Sequence, residues 1–133
     1  MRKFLLALCL LLSGLAAAAD LPLIASLTAL RAPTQALVRE AAKGSAADFE
    51  ALAKSCVAAD QAWNLAKSET LDLARYGVPA ERHEEIWRQI RMLGLIVGYL
   101  EEGAKRGDRA LVLRAAGMLE PAYEKLAASM GVR

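Results

Sequence analysis

Between short breakers the chain repeats apolar residues at steps of three and four, which sets them on one face of an α-helix. Four such segments occur, and no run alternates apolar and polar residues with β-branched side chains, so strands are not expected. The first covers residues 21 to 43, with Leu23, Leu27, Leu30, Thr34, Leu37 and Ala41 as its stripe and Gly44 as its stop. Pro33 falls inside it, so the helix either kinks there or starts afresh after Ala32. The second opens on Ser45-Ala46-Ala47-Asp48, a capping-box pattern with Asp in place of Glu, and continues to about Tyr76. Its seam of Phe49, Leu52, Cys56, Ala59, Trp63, Ala66, Thr70 and Leu73 keeps a heptad rhythm.

The third segment places Pro79 in its first turn, beside Glu81, Glu84 and Glu85, which favour the positive end of a helix dipole. Its stripe is His83, Ile86, Ile90, Leu93, Val97, Leu100 and Ala104, ending near Lys105-Arg106-Gly107. Asp108 is suited to cap the fourth. There the stripe reads Leu111, Ala115, Met118, Ala122, Leu126 and Met130, with Leu119 and Tyr123 alongside. Pro121 predicts a kink near Gly117. Connections of a few residues make neighbouring helices antiparallel. The expected fold is therefore all-α, an up-down antiparallel four-helix bundle.

Composition changes the picture at one end. The 133 residues carry 17 basic and 15 acidic side chains and are 56% hydrophobic. Two of those cations, Arg2 and Lys3, precede an apolar run from Phe4 to Leu12, a Ser13-Gly14 break and the small residues Ala16 to Ala19. This is the pattern of a secretory signal peptide over residues 1–19, cut after Ala17-Ala18-Ala19 and before Asp20. The apolar core is short for an uncleaved spanning anchor, which needs about 20 residues. A lipid attachment at Cys9 is disfavoured, because Leu8 stands where a small residue is needed. The expected mature domain, residues 20–133, has 15 basic against 15 acidic side chains. A neutral domain offers no basic footprint for nucleic acid or anionic lipid. The expected location is the periplasm, with no membrane span after cleavage.

Candidate chemistry is sparse. Cys56 would be the sole cysteine of the mature chain, so an intramolecular disulfide is excluded, and without a C-x-x-C-H motif so is covalent c-type haem. The single histidine, His83, has Ile86 and Trp87 at its three- and four-residue neighbours, so no paired-ligand helix motif exists. A nucleophilic triad would need that same histidine at a helix start, and no enzymatic activity is expected. His83 and Met130 can meet at one end of an antiparallel bundle. A His/Met pair suits haem iron or copper, which makes these two the candidate cofactor-binding residues of an alternative reading.

Helix four begins at Gly107-Asp108 and carries Ala122-Tyr123-Glu124-Lys125 near its close. In this the chain resembles the soluble four-helix-bundle cytochromes of the periplasm, of the b-type and cytochrome c′ kinds. The resemblance implies the fold. In the b-type family a haem-ligating histidine follows the equivalent tyrosine, where this chain has Glu124. The family's methionine ligand, early in helix one, is replaced here by Leu21, Leu23 and Ile24.

The least ordinary stretch is Met92 to Leu100, nine residues without a charge at the centre of helix three. A surface helix keeps a polar face, so this stretch is expected to be buried on more than one side. Gly94 and Gly98 each cost about 1 kcal/mol against alanine in a helix interior, which asks for a packing reason. Three readings compete: close packing within the bundle, a homodimer seam through Gly94, Gly98, Leu95 and Tyr99, or a small-molecule pocket. The sequence is thus read as a secreted, non-enzymatic binding or accessory protein that self-associates or meets a periplasmic partner. The alternative is a non-covalent haem or copper binder.

Overall fold

The computed structural model describes residues 22–67 and 72–132. The expected leader over residues 1–19, Cys9 and the seam position Thr70 lie outside them. The described residues form four α-helices and no strand: α1 (Pro22–Ala42), α2 (Phe49–Lys67), α3 (His83–Arg106) and α4 (Arg109–Ser129). Helix α1 packs on α2 and α4, while α3 packs on α2 and α4. The buried stripes of all four meet in one core that includes Leu30, Leu37, Leu52, Trp63, Leu93, Leu100, Leu119 and Tyr123. No described helix is long and apolar enough to cross a membrane.

Local chemistry sets the helix boundaries, and in three places it departs from the sequence reading. Residues Gly44–Ala46 form a 3-10 turn instead of opening α2. Asp48 caps α2: its Oδ1 accepts the Glu50 N–H at 3.0 Å, so Ser45 is not the start of a capping box. Helix α2, described as far as Lys67, does not run on to Tyr76, because Asp72 is extended. Further on, Asp72 accepts from the Ala74 N–H, and Leu73–Tyr76 is a separate 3-10 turn closed by Gly77 at φ 74°. Pro79 precedes a third such turn, Ala80–Arg82, so that α3 itself begins only at His83. Both internal prolines, Pro33 and Pro121, are contained within uninterrupted helices. A restart after Ala32 is thereby excluded.

The α3–α4 corner explains a buried glycine. Gly107, at φ 67°, sends its N–H back to the carbonyls of Ala104 and Gly103. Asp108 Oδ1 accepts the Leu111 N–H at 3.1 Å, as its position predicted. A Cβ on Gly103 would come within 2.9 Å of Val112 Cγ2 and 3.3 Å of the Asp108 carbonyl. The bare backbone is what lets the first turn of α4 lie against α3. At the other corner one nitrogen of Arg109, Nη2, donates to the carbonyls of Gly44, Ser45 and Ala47 at 2.7–2.9 Å.

Two longer ties join the helices. Tyr123 donates its buried hydroxyl to the Leu27 carbonyl at 2.7 Å, linking late α4 to early α1. Ser26 Oγ reaches the Leu65 carbonyl at 3.5 Å, linking early α1 to late α2.

Candidate interaction face on the third helix

Successive helical residues turn by about 100°, so α3 sorts its uncharged centre by angle. Leu93, Ile96, Val97 and Leu100 point inward and are buried. Met92, Leu95 and Tyr99 point the other way and remain about half exposed, at 48%, 51% and 45%. Among the described residues the expectation of burial on more than one side is therefore corrected: α3 packs on α2 and α4, and no described residue covers its outer face. Met118 of α4, 47% exposed, adds a fourth apolar side chain along the same groove. The apolar spacing of α4 places it on the core stripe. Ala115, Leu126 and Met130 of that stripe are buried, but the inward side is centred nearer Val112, Ala116, Leu119 and Tyr123, which leaves Met118 at its outer edge.

The two glycines part company. A Cβ at Gly94 would stand 2.8 Å from Trp63 Cζ2, so this glycine lets the indole of α2 lie against the α3 backbone. Gly98 has nothing within 4 Å of its would-be Cβ. Of the four residues read as a seam, Leu95, Gly98 and Tyr99 share the open face, while Gly94 turns toward Trp63.

The face is shallow. Tyr99, Leu111, Arg114, Ala115 and Met118 line a depression of about 250 Å³. Arg88, Gln89, Met92, Ala122 and Lys125 line another of about 130 Å³. Ligand pockets usually hold roughly 300–1,000 Å³ and enclose their ligand, so this surface is better suited to a protein contact than to a small molecule. Within the smaller depression the buried Gln89 gives its Nε2 to Glu85 at 3.2 Å, while its Oε1 has no protein partner.

Charges surround the apolar patch. Arg88 pairs with Glu84 at 3.7 Å and Arg106 with Glu102 at 2.7 Å, both one turn apart along α3. All four side chains are well exposed, so each pair adds little to the stability of the monomer.

The other candidates sit elsewhere. His83 Nε2 lies 2.8 Å from the Val78 carbonyl, which can only accept, so Nε2 carries the proton and Nδ1 is left over. Met130 is buried in the core, its N–H shared between the carbonyls of Leu126 and Ala127. Among the described residues no three His, Cys, Asp or Glu side chains are gathered to hold a metal ion. Cys56 is fully buried, and burial pushes its thiol up to about 11, so it stays protonated near neutral pH. Tyr123 is turned inward, whereas Glu124, at the position of the cytochromes' ligating histidine, faces solvent. No protein-family model, curated protein or solved structure matches this chain.

Proposed function

We propose that the chain is a secreted, non-enzymatic helical protein of the bacterial periplasm that acts by binding through the outer face of α3, foremost to itself. The observation that carries this reading is the cluster of half-exposed Met92, Leu95, Tyr99 and Met118 on one side of α3 and α4. Four large apolar side chains in one place are more than scattered surface residues account for, and such patches mark contact sites. The closed ring of helix contacts and the ties from Tyr123 to Leu27 and from Ser26 to Leu65 support an up-down antiparallel bundle as the scaffold. The signal-like residues 1–19 support export, with Asp20 as the first mature residue.

Sedimentation of protein purified from the periplasm tests the central point. Self-association at tens of micromolar, lost on Leu95→Asp, is expected. A strict monomer unaffected by Gly98→Leu removes the self-binding part. A Soret band after haem addition would move the reading to a cofactor carrier.

A further inference from the structure

The outer face of α3 carries a charge pattern that matches itself in reverse. Relative to Leu95, Glu84 and Arg106 lie eleven residues before and after, while Arg88 and Glu102 lie seven before and after. At about 100° per residue, all four fall within about 20° of the line through Leu95. The order along that line is acid, base, leucine, acid, base.

We infer that the occupant of this face is a second copy of the chain, its α3 antiparallel to the first, with the two-fold axis passing at Leu95. This rests on the self-binding reading above and adds its geometry. In that register Leu95 meets Leu95 of the second copy, Arg88 meets Glu102, and Glu84 meets Arg106. The pairs Glu84–Arg88 and Glu102–Arg106 already formed within each helix become two four-charge clusters. A parallel arrangement would set Glu84 on Glu84 and Arg88 on Arg88, like charge on like.

The flanking residues fit the same axis. A two-fold between antiparallel helices brings together residues on the same side of the contact line. Met92 of one copy therefore lies beside Tyr99 of the other, a favourable sulfur–aromatic contact. On the opposite side the long Arg91 side chain passes over the other copy's Gly98, where the structure leaves open space. From Glu84 to Arg106 the helix rises about 33 Å. A crossing near 20° parts the outer charges by about 6 Å, within reach of arginine, whereas one near 50° parts them by about 14 Å. The shallow crossing is the one this pattern requires. An isologous contact of this kind closes as a dimer and does not extend into a filament.

Single cysteines at three exposed positions test the register: Arg88→Cys, Leu95→Cys and Glu102→Cys, each in the full coding sequence carrying Cys9→Ser and oxidised mildly. A covalent dimer is expected from Leu95→Cys alone, because positions 88 and 102 each lie about 21 Å from their own copies. Cross-linking at all three positions would mean parallel helices. Cross-linking at none, in a protein that still sediments as a dimer, would mean a different face. Either result overturns the register and leaves self-association standing, while a monomer throughout overturns both. Charge reversal gives a second readout. Arg88→Glu should weaken dimerisation about tenfold, because two symmetry-related pairs become repulsions. Adding Glu102→Arg should restore it to within about threefold. A double variant no tighter than the single one also overturns the register. These positions are exposed, so helix content by circular dichroism should match the parent.

Discussion

At the scale of single residues, two glycines four apart in one helix do opposite work. Gly94 is a packing residue: its missing side chain is the space in which the Trp63 indole sits, 2.8 Å from where a Cβ would be. Trp63 is 4% exposed, so its ring is packed on nearly every side. Gly94→Ala gains about 1 kcal/mol of helix propensity but meets overpacking that typically costs 1–3 kcal/mol, so a net loss of about 1 kcal/mol is expected. Gly98→Ala meets nothing and keeps the propensity gain, about 1 kcal/mol in the stabilising direction. Urea denaturation at low protein concentration, where the monomer dominates, should show the two variants moving apart. Equal shifts would refute the packing account. The sequence showed both glycines as out of place in a helix. It could not separate them, because that depends on whether Trp63 lies across the helix at that height.

At the scale of elements, the period of apolar residues identified four helices, and the turn chemistry between them was harder to read. In α4 two neighbouring lines are both apolar, one through Leu111, Ala115 and Met118 and the other through Val112, Leu119 and Tyr123. Periodicity alone allows either to face the core. The core-facing side is centred on the second and takes only Ala115 from the first, since this brings the Tyr123 hydroxyl to the Leu27 carbonyl and Val112 to Gly103. This leaves Met118 on the open face, a part of the candidate surface that periodicity alone does not reveal. The α1–α2 connection departs from its local sequence pattern because its anchor lies far away in sequence. Arg109, at the start of α4, holds three of its carbonyls through one nitrogen. Hydrogen bonds to a charged donor contribute about 1.5–3 kcal/mol, and two protons shared among three acceptors place this cluster near the middle of that range. Arg109→Met should therefore destabilise by about 2 kcal/mol and expose residues 43–48 first. Amide exchange that quickens there before it quickens in α3 is the expected signature; uniform quickening would show that the clamp is not local.

For the whole molecule, the groups with shifted protonation act in one direction. Cys56 is raised from 9.0 to about 11 by burial. Tyr123 is raised mainly by burial, with Arg31 above its ring opposing the shift, and exposed Lys105 is raised by its partner Glu101. For each, the folded state holds its proton to a higher pH than the unfolded chain does. Stability from a raised group is complete below its unfolded value and is lost as pH climbs through its folded value. The window for Cys56 thus runs from pH 9 to about 11. That window corresponds to roughly 2–3 kcal/mol of stability lost across it. These three groups add no slope near neutrality, and the fall begins only on the alkaline side. Cys56→Ala should lower stability by about 1 kcal/mol at neutral pH, through the small space it leaves. It should also flatten the alkaline decline, leaving the part due to Tyr123, which Tyr123→Phe then reduces further. Urea midpoints followed from neutral pH through this window measure both effects. A Cys56→Ala variant whose decline is as steep as the parent's would show that the buried thiol ionises in the folded state as readily as in the unfolded one, and that the core around α2 admits water.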